Sequence, residues 1–410
     1  MFSIIAYSSA ILLASSVFLP DRKMTYKKRL SVIFRRNNFL REYRDIYGNL
    51  KPQQPKYHGY IDGDNYVEHV YSLPLGKTLS ESITNTITSA FNVPVKVKLD
   101  GGILRIRLYE EALTDRVLYA DVPVRDGIKD GYLAPVGRTL DGWLFHDFDK
   151  TPHMTVAGST RQGKTVFLKN IMTYLCEHQA DDVSFYMIDL KGGLEFGKYE
   201  SLRQVKAVAS DAEEAAEIFT RLKDEMKRTM AEFKRKGYTN IVDTPINHRT
   251  FIVIDEAAQL TPEPFMTKDE RNLMRYCQSA MAEITRVAGA LGWRLIHATQ
   301  YPTGDSLPRA VKQNADAKVA FRLPTELASR VAIDENGAEY LPHPGRGIYR
   351  TIDHQEVQVP YISDEVMAER LSKYRVETER VFENVGVLST EVPREDDDDI
   401  ITLESDDLRD

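Results

Sequence analysis

The segment Gly158-Ser159-Thr160-Arg161-Gln162-Gly163-Lys164-Thr165 has the residue types and spacing to hold a nucleoside polyphosphate. It satisfies the pattern G-x-x-x-x-G-K-[ST] and sits between Met154 to Ala157, an apolar run that predicts a strand, and Val166 to His178, a stretch that predicts a helix. Backbone N–H groups of such a loop, with the helix N-terminus behind them, wrap the phosphates. Lys164 would place a cation on the β- and γ-phosphates of ATP, and the Thr165 hydroxyl would coordinate Mg2+. Further on, Phe251, Ile252, Val253 and Ile254 run into Asp255 and Glu256, as expected for a buried strand with carboxylates at its C-terminal edge. Asp255 would complete the Mg2+ shell and Glu256 would polarise the attacking water. A third apolar strand, Leu295 to Ala298, ends in Thr299 and Gln300, and Gln300 would reach the γ-phosphate and report hydrolysis to moving parts. Arg286 and Arg330 are candidates for an arginine finger contributed across a subunit boundary, where a guanidinium stabilises charge spreading on the transferred phosphoryl group. His153, His248, His297 and His343 lack metal-ligand spacing, so Mg2+ is the one metal the sequence implies.

These residues need a scaffold. From Tyr132 to Phe148 the chain is β-rich, and strands then alternate with helices to about residue 360, which predicts a mostly parallel sheet covered on both faces. Asp211 to Lys236 predicts a long amphipathic helix with Ala215, Ile218, Phe219, Leu222, Met226, Met230 and Phe233 on one face. Before this core, Pro52 to Pro55 marks a boundary. Tyr66 to Leu73 reads as a strand, and Leu79 to Phe91 as a helix with Thr78 as N-cap and Glu81 completing a capping box. Val93 to Leu99 and Ile103 to Tyr109 alternate around the turn Asp100-Gly101-Gly102. This is a small α+β domain without recognisable chemistry.

The chain has 410 residues and a formal net charge of −7, but the charge is polarised. Residues 391–410 hold ten acids against two arginines, whereas residues 21–50 hold nine Lys/Arg against three acids. The mean is therefore no argument against a polyanionic partner. Two isolated cysteines imply neither a disulfide framework nor a zinc site. Phe2 to Leu19 is uncharged and just long enough to cross a bilayer, and basic residues follow at once, so a membrane helix at 1–20 is expected with the bulk of the chain in the cytoplasm. Residues 24–47 read as a basic helix.

Several blocks in fixed order resemble the motor domain of the FtsK/SpoIIIE family of DNA translocases. They run from Pro135-Val136-Gly137 and Pro152-His153 through the phosphate loop, Ile188-Asp189-Leu190-Lys191-Gly192, and the block Arg286 to Pro302. Ala320-Phe321-Arg322, Ser329-Arg330, Gly337-Ala338-Glu339 and Gly345-Arg346-Gly347 complete them. The loop departs from the family pattern, with Arg161 and Gln162 where small residues are usual, and Tyr301 stands where the family has arginine. The resemblance implies a RecA-like P-loop NTPase motor of α/β class and a hexameric ring with double-stranded DNA in its channel and ATP at subunit interfaces. Pore loops would push on the phosphate backbone, with residues 191–203 and 267–275 as candidates. The expected organisation is a membrane helix at 1–20, a basic juxtamembrane segment at 21–55, the α+β domain at 56–130, the motor at 131–365, and a helix with an acidic tail at 366–410. The role implied is that of a coupling protein delivering DNA to a conjugative transfer channel, with a relaxase and channel proteins as partners. The alternatives are a plasmid- or phage-encoded segregation or packaging translocase, and an ATPase moving protein substrates.

Overall fold

The computed structural model describes residues 22–124, 131–193 and 195–376, apart from 38 and 40. The expected membrane helix and the acidic tail lie outside these residues. Among the described residues no helix is long and apolar enough to cross a membrane.

The basic stretch forms helix α1 (Arg22–Arg36), shorter than the reading of 24–47. Asn37 ends it by donating its side-chain amide to the Ile33 carbonyl. The chain then turns into the hairpin β1 (Arg41–Arg44) and β2 (Leu50–Gln53), closed by Asp45, whose Oδ1 accepts the N–H groups of Tyr47 and Asn49. Strands β3 (Lys56–Asp62), β4 (Tyr66–Ser72), β5 (Val95–Asp100) and β6 (Ile103–Tyr109) form an antiparallel sheet of order β3-β4-β6-β5. Between β4 and β5 runs α2 (Glu81–Ser89), capped by the Ser80 hydroxyl on the Ile83 N–H, two residues later than the Thr78 cap read from sequence. Leu30 and Phe34 of α1 join Ile87, Tyr71, Leu104 and Ile106 in one buried cluster, so the basic helix is tied into this sheet by its apolar face.

The larger sheet has ten strands: β7 (Leu133–Thr139), β8 (Gly142–Asp147), β9 (Met154–Ala157), β10 (Val183–Asp189), β11 (Val205–Ala209), β12 (Arg249–Asp255), β13 (Trp293–Thr299), β14 (Ala317–Phe321), β15 (Arg346–Arg350) and β16 (His354–Gln358). Their order is β11-β10-β12-β13-β9-β14-β15-β16-β7-β8. The six strands from β11 to β14 are mutually parallel, and the remaining four add on in antiparallel fashion. The stretch 132–148, β-rich by sequence, forms the antiparallel pair β7–β8 at one end of this sheet.

Side chains of the parallel strands alternate between two cores. Val156, Phe185, Met187, Val253 and Ile296 pack on α3 (Lys164–His178) through Phe167, Ile171 and Leu175. Ile188, Ile252, Ile254 and Leu295 pack instead on α4 (Ala212–Lys236) and α5 (Lys268–Val287), through Phe219, Leu222, Met281 and Ile284. Burial on both faces is why these strands read as continuous apolar runs. Met230, expected on the buried face of α4, lies at the edge of the stripe and is 43% exposed. Shorter helices α6 (Arg309–Asn314), α7 (Glu326–Ile333) and α8 (Asp364–Leu371) follow.

At the amino edge of the sheet Asp149 accepts from Arg249 (2.8 and 3.1 Å) and from Arg294 (2.7 Å), two guanidiniums that are almost fully buried. This cluster ties the β7–β8 hairpin to β12 and β13, and through those two strands to the functional edge.

Candidate functional site

The chemistry expected from sequence converges on the carboxyl edge of the parallel strands, where open α/β sheets bind ligands. The sheet order places β13 between the loop-bearing β9 and the acid-bearing β12. Register then fixes the edge: Thr299 lies opposite Ala157, and Asp189 opposite Asp255. Ala157 and Thr299, 142 positions apart in sequence, thereby share one rim.

The loop from Gly158 to Thr165 closes onto the N-terminus of α3. Gly158 and Gly163 are required by space and backbone. A Cβ on Gly158 would meet the Phe321 Cβ at 2.8 Å, and Gly163 has φ +116° with the Gly345 backbone 3.1 Å from where a Cβ would stand. Arg161 adopts φ +63°, the left-handed region that favours glycine, so its departure from the family pattern is borne by a strained backbone. Ser159 N–H donates to the Arg322 carbonyl, and Gly345 N–H to the Gln162 carbonyl, which seats the loop on β14 and β15.

Lys164 is buried and its Nζ lies 2.5 Å from Asp255 Oδ1 and 3.7 Å from Glu256 Oε2. Glu256, at φ +62°, accepts from the Gln300 N–H at 3.1 Å and the Thr299 hydroxyl at 3.3 Å. Gln300 Oε1 in turn accepts from the Thr160 hydroxyl at 3.0 Å. Loop, carboxylates and the end of β13 therefore form one connected network. Asp255 Oδ2 and Glu256 Oε2 are buried oxygens without a hydrogen-bond partner among the described residues. With the Thr165 hydroxyl in the first turn of α3, this all-oxygen set fits a hard divalent cation such as Mg2+.

A residue that sequence reading placed in a candidate pore loop belongs here. Lys191 turns inward, 3.3 Å from Glu256 Oε2 and 3.7 Å from Asp255 Oδ2. Asp189 holds that turn by accepting the N–H groups of Lys191, Glu195 and Phe196. The signal was present in Ile188-Asp189-Leu190-Lys191-Gly192, but nothing in it said which way the lysine faces. Arg286 and Arg330 are both exposed, on α5 and α7, and neither lines the pocket beside the loop. Arg330 pairs with Glu326 and donates to Asn336 at 2.7 Å.

That pocket encloses about 410 Å³, a volume in the range of small-ligand sites. Loop residues and Gln300 line one end, while Arg116, Val117, Pro344, Val359 and Tyr361 line the remainder. None of these last five was singled out from the sequence.

Residues 133–250 match the model of the FtsK/SpoIIIE family. Among curated proteins, the DNA translocase FtsK of Streptococcus pneumoniae is 31% identical over 244 residues, covering 56% of this chain and 32% of that protein. The DNA translocase FtsK of Leptospira interrogans is 30% identical over 249 residues, covering 56% of this chain and 25% of that protein. The chain thus spans a third or less of the length of these curated relatives. Among solved structures, the monomer form of the pCW3 conjugation coupling protein TcpA with ATPγS superposes with a TM-score of 0.59 at 21% identity, covering 85% of this chain and 99% of that one. The cytoplasmic domain of the type VII secretion ATPase EccC of Thermomonospora curvata gives a TM-score of 0.51 at 22% identity, covering 62% and 32%. At these identities the structural matches establish the fold alone.

Proposed function

We propose that this chain, whose motor region belongs to the FtsK/SpoIIIE family, is an ATP-driven translocase of double-stranded DNA that works as a hexameric ring and delivers DNA to a conjugative transfer channel. The observation that carries the motor reading is the connected network of Lys164, Asp255, Glu256 and Gln300 on a fold whose curated relatives are DNA translocases. The coupling role is supported by the similarity to TcpA, which extends over 99% of that chain and 85% of this one.

In this reading Lys164 and the loop amides grip the triphosphate. Glu256, held by Thr299 and Gln300, takes the proton of the attacking water. Mg2+, held by Thr165 and Asp255, would neutralise charge on the phosphate oxygens. Gln300 bridges Thr160 and the Glu256 carboxylate, so a change at the phosphates is felt at the end of β13. Arg286 or Arg330, exposed on the surface, would serve as finger for a neighbouring subunit's site. A membrane anchor at residues 2–19 and contacts to a relaxase and channel proteins complete the proposal.

A second reading, transport of protein substrates, is favoured by the fold shared with the EccC secretion ATPase. Steady-state ATP hydrolysis by the full chain, with and without long double-stranded DNA, separates the two. Stimulation by DNA that vanishes in Lys164→Ala is the expected result. Basal hydrolysis indifferent to DNA would move protein substrates to the front.

A further inference from the structure

We propose that the strap formed by residues 115–117, together with Tyr361, is the base-binding wall of the nucleotide pocket, with the Tyr361 ring stacking on a purine. The proposal rests on the reading of this pocket as a nucleoside triphosphate site.

The pocket has two chemically distinct ends. The loop end offers Ser159, Thr160, Gly163, Lys164 and Thr165, groups suited to phosphate. The other end offers Val117, Val359, Pro344 and the Tyr361 ring, with the Arg116 side chain beside them. A nucleotide anchored by its phosphates on the loop would extend into this second, apolar end. A planar base gains there from burial against aliphatic side chains and from stacking on an aromatic face.

The wall is built rather than incidental. Tyr361 N–H donates to the Val117 carbonyl at 2.8 Å, and Tyr119 N–H donates to the Tyr361 carbonyl at 3.0 Å, so the two segments are pinned backbone to backbone. Arg346, itself almost fully buried, latches the strap from below. Its Nη2 donates to the carbonyls of Leu113 and Thr114, both at 3.0 Å, and to Asp115 Oδ1 at 3.1 Å. Its other nitrogens are held by Gln358 at 3.0 Å and Glu356 at 2.7 Å. The same β15 start touches the phosphate loop through Gly345 and Gln162. The wall is therefore preorganised relative to the phosphates, which reduces the ordering cost of binding.

The side chains on this wall are left available. Tyr361 uses only its backbone in the bridge, and its half-exposed ring has no hydrogen-bond or ring partner among the described residues. The Arg116 guanidinium makes no ion pair among them and can cover the opposite face of a stacked base.

The test compares ATP with inorganic tripolyphosphate, by calorimetry on the full chain, in wild type and in Tyr361→Ala, Tyr361→Phe and Lys164→Ala. The expected result is that Tyr361→Ala weakens ATP by about fivefold or more and leaves tripolyphosphate unchanged, while Tyr361→Phe restores ATP affinity. Equal losses for both ligands, or no loss of ATP affinity, would overturn the base wall. In that case tripolyphosphate binding abolished by Lys164→Ala would still leave the phosphate site standing. If wild type bound neither ligand, the base wall and the nucleotide reading would fall together.

Discussion

Replacing Glu256 by glutamine is expected to lower ATP turnover by about 10³-fold while ATP affinity stays within a few-fold of wild type. The glutamine carbonyl can keep the two hydrogen bonds that Oε1 accepts from Gln300 N–H and the Thr299 hydroxyl, so the local geometry survives. What is lost is the second oxygen, which faces Lys191 at 3.3 Å and Lys164 at 3.7 Å. An amide there can accept no proton from water, and its NH2 donors would face two ammonium groups. Affinity is retained because Glu256 is not part of the pocket lining that grips the triphosphate. Phosphate release at saturating ATP reads the first quantity, and equilibrium binding of ATP the second. A variant that still turned over at near wild-type rate would remove Glu256 from its role as base.

Stability is expected to fall as pH drops from about 6.5 toward 4, well before most carboxylates titrate. Four buried histidines carry this effect. Burial pushes His69, His146 and His297 down to about 4 and His153 down to about 3. His153 Nδ1 accepts the Leu295 N–H, a bond that requires the neutral ring. His297 sits in the middle of β13 with both ring nitrogens unpartnered among the described residues. In the unfolded chain these rings protonate near 6.5, so between 6.5 and 4 the unfolded state binds more protons and gains on the folded one. Each ring contributes up to ~1.4 kcal/mol per pH unit across that window, and the four together several kcal/mol. Below pH 4 a second loss begins. Burial raises the Asp149 carboxyl, but the hydrogen bonds from Arg249 and Arg294 outweigh it and hold the group below its usual value. Its contribution, present above about 3.9, is lost as pH falls through the folded value. Urea midpoints measured from pH 7.5 to 4.5 test the histidine effect. His297→Leu should flatten the slope by roughly a quarter on the same reckoning, and a profile already flat in the wild type would contradict the account.

Much of the motor was legible because its chemistry is written in short, local signals. The loop from Gly158 to Thr165 needs two glycines for space and a lysine for charge, and Asp255 and Glu256 must end an apolar strand. Those demands constrain sequence directly. The parallel strands also announced themselves, since burial on both faces leaves uninterrupted apolar runs. Strand β3, with five of its seven residues exposed, in alternation and then in a row, gave no such run and was missed. Lys191, Arg116 and Tyr361 were illegible for another reason. Their roles depend on which way a side chain faces across contacts between distant segments, such as the Tyr361 to Val117 bridge or the latch from Arg346 to residues 113–115. A lysine after a strand, or a tyrosine before an isoleucine, carries no local mark of such a contact. The Thr78 cap illustrates a third limit, because Ser80 satisfies the same chemistry two residues on and tertiary packing chooses between them.

The central claim is ATP-driven movement along double-stranded DNA, and displacement of a labelled third strand from a linear duplex tests it most directly. The full chain, loaded on duplex distant from the triplex, should release the third strand with a lag that lengthens with distance. Release should require hydrolysable ATP and disappear in both Lys164→Ala and Glu256→Gln. Robust ATP hydrolysis on the same duplex with no third strand released, at any distance, would contradict the account and leave an ATPase whose work is done on something other than DNA.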